Sequence, residues 1–152
     1  MFDNSNLIEH GTIELGKKNE LYEDILFQAK QIMKEFIEQM NIDIIAIEDI
    51  QQQRQNVKTF KKLAMLMGVL ICLFEEIKKP YFVIPPTKWK SYCNIKGRKR
   101  EEQKANTILF VQDKFGLNDI TEDMADAICL GYYIVNNTSV NTTKEGIIDV
   151  DN

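Results

Sequence analysis

Histidine is nearly absent from this chain of 152 residues: His10 is the sole example. One imidazole cannot furnish a Ser-His-Asp triad, an H-E-x-x-H zinc site or any multi-histidine metal cluster. Cysteine is almost as scarce. Cys72, Cys93 and Cys129 stand far apart with no C-x-x-C pair, which excludes a zinc knuckle and a disulfide framework and leaves buried free thiols as the expectation. The seven glycines never form G-x-G-x-x-G or a Walker loop, so phosphate cradles of those kinds are absent. The longest apolar run, Ala64 to Phe74, is too short to span a bilayer and is bracketed by Lys61, Lys62 and by Glu75, Glu76. The amino end, MFDNSNLIEHG, lacks the basic start and apolar stretch of a secretory signal, so a cytoplasmic protein is expected. What is left for chemistry is carboxylate, lysine and arginine.

With 44% hydrophobic and 28% charged residues the composition is globular, and the length suits one domain with a real core. That domain is expected over residues 1–135, followed by a polar, flexible tail over 136–152 rich in Asn, Thr, Ser and charge. The net charge of −4 conceals an asymmetry. Between Lys88 and Lys104 stand Lys88, Lys90, Lys96, Arg98, Lys99, Arg100 and Lys104 against only Glu101 and Glu102, with Trp89 and Tyr92 interleaved. A second stretch holds Arg54, Lys58, Lys61 and Lys62 with no acid. Local basic stripes on an acidic protein fit nucleic-acid contact, because phosphate attraction is screened beyond about 10 Å at moderate salt. The bland alternative is a solvated loop and a solvated helix face. Trp89 and Tyr92 read as packing residues, and Met65 and Met67 as core.

The hydrophobic pattern alternates between strand and helix. Turn chemistry at Asp3–Asn4–Ser5–Asn6 precedes a β-like stretch, Leu7 to Leu15. From Glu20 to Met40 the residues Leu21, Ile25, Ala29, Ile32, Phe36 and Met40 recur at three and four, an amphipathic helix. The β-branched run Ile44 to Ile47 reads as a strand buried on both faces and ends at Glu48. A long helix follows from Asn56 to Lys79, then a strand from Tyr81 to Ile84 stopped by Pro85 and Pro86. The basic segment reads as a loop pivoting on Gly97, leading into a helix that Gly116 ends. Thr121 can cap a last helix through Ile134. This order predicts an α/β domain with a partly parallel, mixed sheet flanked by helices.

In such sheets functional groups gather at the carboxyl ends of strands, where Glu48 sits. Asp123 and Asp126, three apart on the last helix, project from one face. Each has a structural reading: Asp123 can complement the helix dipole and Glu48 can end a strand in solvent. Asp126 is harder to dismiss, since helical spacing places it beside Met124, Ile128 and Leu130, where an unpaired carboxylate is costly. Oxygen ligands without histidine or thiolate select hard cations, Mg²⁺ or Mn²⁺.

The segments IIAIED (Ile44 to Asp49), NVKTFKKLAMLMGVL (Asn56 to Leu70), YFVIPPTKWKSYCNIKGRKREEQK (Tyr81 to Lys104) and TEDMADAICLG (Thr121 to Gly131) together resemble the RuvC family of Holliday junction resolvases. The nearest likeness is to its bacteriophage and Gram-positive branch, over about Leu7 to Val135. The resemblance implies an RNase H-like fold and a homodimer that nicks four-way DNA junctions in recombination and phage DNA processing. Glu48 matches the family's strand-end glutamate, and Asp123 and Asp126 its paired helix aspartates, which hold divalent metal for in-line attack by water. Lys90 matches a lysine beside the scissile phosphate, and Lys99 or Arg100 takes the place of a second. The DNA-binding set implied is Arg54, Lys58, Lys61, Lys62, Lys88, Lys90, Lys96, Arg98, Lys99 and Arg100.

Two departures accompany the likeness. The family opens with a strand bearing a first catalytic aspartate, and this sequence begins at the turn that follows, which leaves three carboxylates of four and an expected missing central strand. Asp3 belongs to the turn and does not match that aspartate. Gln51 stands where some relatives carry an aromatic wedge. The alternatives are therefore a branched-DNA-binding module without catalysis and a remnant of the fold that only dimerises through Asn56 to Lys79.

Overall fold

The computed structural model describes residues 1–16, 20–51 and 56–137. It is an α/β protein in which five helices accompany two small sheets. Strands β1 (Phe2–Asp3) and β2 (Asn6–Leu7) form an antiparallel hairpin, pairing Phe2 with Leu7 and Asp3 with Asn6. The two-residue connection needs left-handed backbone, and Asn4 supplies it at φ +52°. Then follow α1 (Tyr22–Gln39), β3 (Ile45–Glu48), α2 (Val57–Glu76), β4 (Tyr81–Ile84), α3 (Pro86–Tyr92), α4 (Arg100–Phe115) and α5 (Glu122–Asn137). β3 and β4 make the second sheet. Among the described residues no helix is long and apolar enough to cross a membrane.

The chain divides into two compact units, and the division falls inside both β3 and β4. One unit holds Ile13–Ile45 and Asp49–Val83, and its substance is α1 packed on α2. Leu26, Ala29, Ile37, Leu73, Phe74, Tyr81 and Phe82 are buried there. The rings of Phe74 and Tyr81 lie 5.7 Å apart, and Lys30 pairs with Glu76 at 2.5 Å across the two helices. Asn56 caps α2 by accepting a hydrogen bond from the Thr59 amide at 3.4 Å.

The other unit holds Met1–Thr12, Ala46–Glu48 and the chain from Ile84 through α5. Its pillar is α5, against which α3, α4 and β1 all pack. Ala125, Ile128, Cys129, Leu130, Tyr133 and Ile134 bury one face of that helix, together with Ile84, Trp89, Cys93, Thr107 and Val111. The Phe2 ring lies over α5 where Gly131 leaves room: a Cβ there would meet it at 2.7 Å. Thr121 caps the start of α5, its hydroxyl accepting from the Met124 amide at 3.3 Å. Gly116, at φ +70°, ends α4 as the sequence predicts.

Several expectations need correction. The strand expected over Leu7 to Leu15 stops at Leu7, because no described strand offers a ladder beyond it; Ile8 and Ile13 lie exposed. β3 is half-buried rather than covered on both faces, since its two-stranded sheet has too few strands to be enclosed. On α1 the buried line is Leu26, Ala29 and Ile37, while Leu21, Ile32 and Met40 are exposed. Both lines satisfy three-and-four spacing, so periodicity alone cannot choose between them. Of α2 only Leu73 and Phe74 are buried, and Met65, expected in the core, is 49% exposed. Cys72 is exposed, whereas Cys93 and Cys129 are buried as expected. The start of the basic segment is helical, not a loop: Pro86 occupies the first position of α3, where its fixed φ suits a helix and its missing N–H is no loss. Arg54 and the tail from residue 138 lie outside the described residues.

Candidate active site and nucleic-acid interface

The carboxylates expected to work together all lie in the α5 unit. Glu48 closes β3 and is partly buried. Asp123 stands exposed in the first turn of α5, and Asp126 follows one turn later, half-buried because its helix face turns toward Ala125, Ile128 and Cys129. Burial holds the Asp126 carboxyl above the usual carboxylate range. Lys90 and Lys104 pull it down, while Asp123 and Glu122 push it up, so four charged groups from three helices act on one carboxyl. A perturbed acid beside specific charge partners is a functional-site candidate.

The structure thus brings Asp123, Asp126 and Lys90 together. Among the described residues no three His, Cys, Asp or Glu side chains form a group that could hold a metal ion, so Glu48 does not complete a three-carboxylate cage with the α5 pair. Mg²⁺ is nevertheless commonly held by one or two carboxylates, with water and substrate phosphate filling the remaining positions. Asp123 and Asp126 fit that pattern, and a cation beside them would relieve the cost of ionising a half-buried carboxyl.

Lys90 is placed by α3. Trp89, fully buried, anchors that short helix, and the Lys90 ammonium rides 5.3 Å from the centre of the indole ring. The Trp89 Nε1–H has no acceptor among the described residues. The ammonium donates to Gln103 Oε1 at 3.3 Å. Gln103 lies in the first turns of α4, and its Nε2 donates to the Gly97 carbonyl at 3.0 Å. Sequence reading missed Gln103: it lies within the Tyr81 to Lys104 segment but carries no charge and breaks no period, so nothing singled it out. Lys104, one residue on, forms an ion pair with Glu122 that joins α4 to α5.

An open groove of about 540 Å³ shares these two residues and is further lined by Arg100, Glu101, Ala105 and Ile108. Of the two candidates for the second lysine position, Arg100 lines this groove and Lys99 stands at the N-cap position of α4 without a side-chain capping bond. Lys96, Arg98, Lys99 and Arg100 are exposed around the turn at Gly97, while Lys88 and Lys90 are partly buried on α3. Lys58, Lys61 and Lys62 are exposed on one face of α2 in the other unit. Lys62 rests over the Tyr22 ring at 4.9 Å, so part of its charge is committed to packing.

Two buried cysteines, Cys93 on the turn after α3 and Cys129 on α5, pair with each other. The Cys93 thiol points at the Cys129 carbonyl, 3.9 Å away, and the Cys129 thiol is pushed far above its usual range by its hydrogen bond with Cys93 and by burial.

The fold has solved counterparts. A structure of Thermus thermophilus RuvC matches with a TM-score of 0.65 and 20% identity over 82% of this chain and 74% of that one. A second, of T. thermophilus RuvC in complex with Holliday junction substrate, matches with a TM-score of 0.66 and 17% identity over 82% of this chain and 73% of that one. At such identities the likeness is one of fold, and the fold is RuvC-like, consistent with the RNase H-like class the sequence predicts. No curated protein matches the sequence. A family model described as Lactococcus phage M3 protein matches residues 2–136, and this chain belongs to that family.

Proposed function

We propose that this chain is a divalent-metal-dependent endodeoxyribonuclease that nicks four-way, Holliday-type and other branched DNA. The observation that carries the reading is Asp126: a half-buried carboxyl on α5, ringed by Asp123, Lys90 and Lys104, in a chain of RuvC-like fold. Asp123 and Asp126 are the residues that would hold Mg²⁺, with Glu48 at the strand end as a third donor once DNA is bound; Mn²⁺ would serve in its place. The metal supplies Lewis acidity at the scissile phosphate. The protein's own part is position and charge. Lys90 brings a cation to the side of the carboxylates where a phosphate must approach, offsetting charge that builds on its oxygens.

The DNA backbone would be met by Lys88, Lys96, Arg98, Lys99 and Arg100 around the Gly97 turn, and by Lys58, Lys61 and Lys62 on α2, with Arg54 preceding that helix. Contacts of this kind position the duplex and carry no sequence information. A symmetric junction calls for two copies of the chain. Exposed apolar side chains on different sides of α2, Leu63 at 45% and Met65 at 49%, are the candidates for a homodimer contact. The bacteriophage family fits a role in processing phage DNA in the host cytoplasm.

A second reading, a branched-DNA-binding module that does not cut, is favoured by one observation: the described residues contain no complete three-ligand metal group. Asp126→Asn separates the two. Under the nuclease reading it abolishes metal-dependent nicking of a labelled four-way junction and leaves binding intact. If the parent chain binds without nicking at any Mg²⁺ or Mn²⁺ concentration, the second reading replaces the first.

A further inference from the structure

A lysine side chain has four rotatable bonds and a point charge, so an ammonium useful to a reacting phosphate has to be held. Lys90 is held from below by the Trp89 ring and from the side by Gln103. The Gln103 amide has its orientation decided by its two neighbours. The Gly97 carbonyl only accepts and the Lys90 ammonium only donates, so Nε2 must face Gly97 and Oε1 must face Lys90. A flipped amide would oppose two donors on one side and two acceptors on the other.

The support continues one layer out. Gly97 has φ +149°, and a Cβ there would fall 2.9 Å from the Gln103 backbone nitrogen and 3.0 Å from its Cγ. The turn therefore closes on Gln103 only because position 97 has no side chain. The Gln103 amide N–H is bonded to the Lys99 carbonyl at 3.1 Å, and the Asn106 side chain donates to the Lys96 carbonyl at 2.6 Å, tying the same turn to α4. Gln103 and Lys90 are both half-buried.

We propose that Gln103 is a positioning residue: it holds the Lys90 ammonium ready in the free protein and releases it to a phosphate of the strand being cut. This rests on the nuclease reading. A neutral amide oxygen suits the task because it orients the cation without cancelling it. A carboxylate at the same place would form an ion pair and compete with the phosphate.

The test is a double-mutant cycle of nicking rates on a labelled four-way junction in Mg²⁺. Gln103→Ala is expected to slow single-turnover nicking about tenfold, a coupling typical of residues in contact, with junction affinity unchanged. Gln103→Glu is expected to be slower still. In a Lys90→Ala background Gln103→Ala should add nothing. An equal slowing in both backgrounds, or none in the parent, overturns the proposal. A second readout does not depend on cleavage, so a failed nuclease reading stays distinguishable: after reductive methylation with ¹³C-formaldehyde, the Lys90 NMR signal should shift in Gln103→Ala while that of Lys114 stays in place. An unmoved Lys90 signal also overturns it.

Discussion

Lys90 on α3 opposes what burial does to Asp126 on α5: the ammonium favours the ionised carboxyl that the surroundings disfavour. The pair defines the site more sharply than any distance between carboxylates, because it ties one strained acid to one held cation. Lys90→Ala should raise the Asp126 carboxyl further above its usual range, read by ¹³C carboxyl NMR. The same variant should slow nicking more than it weakens junction binding. An unchanged carboxyl titration would mean the two charges do not meet in solution.

Burial at Asp126 also sets a pH dependence of stability. The folded protein holds this proton more tightly than the unfolded chain does. Folding therefore gains from it below the ordinary carboxylate range and loses that gain as pH rises toward the elevated value. At neutral pH the ionised group is a net cost, as functional groups often are. Asp126→Asn should raise Tm at pH 7, because the amide carries no charge for burial to penalise. The difference should shrink near pH 4, about where an unperturbed aspartate titrates. Paired thermal melts at the two pH values check this.

The candidate residues themselves were legible in the sequence, though not that Glu48 would stand apart from a three-carboxylate group with Asp123 and Asp126. Asp126 betrays itself by charge on an apolar helix face, Glu48 by ending a β-branched run, and Lys90 by a basic stretch in an acidic chain. What was not legible depends on partners distant in sequence. The strand expected beyond Leu7 presumed a neighbour, and the enclosure of Ile44 to Ile47 presumed a wider sheet than β3 and β4 form. The α1 stripe was ambiguous because the line from Leu21 through Ile25 and the buried line from Leu26 both pass through Ala29 at three-and-four spacing. Gln103 acts only through where Gly97 and Lys90 stand, which no local pattern records.

The contact between the hairpin and α5 offers a stability test far from the chemistry. Gly131→Ala places a methyl 2.7 Å from the Phe2 ring and should destabilise by about 1–3 kcal/mol through overpacking. Combining it with Phe2→Leu should recover part of the loss. Strict additivity in chemical denaturation would mean the ring does not sit there.

Dimerisation through α2 is open to a surface change that leaves the fold alone. Met65 is exposed and makes no part of the core, so Met65→Lys should shift stability by no more than about 0.5 kcal/mol. Sedimentation should show a dimer for the parent chain and a monomer for the variant. A parent that is monomeric at every concentration would remove the homodimer.

The most direct measurement is a gel assay of this chain with a labelled four-way junction, in Mg²⁺ and separately in EDTA, scoring binding and nicking together. Binding in both conditions with nicking only in Mg²⁺ is the predicted result. Binding without nicking in Mg²⁺, or nicking that EDTA does not stop, would contradict the account.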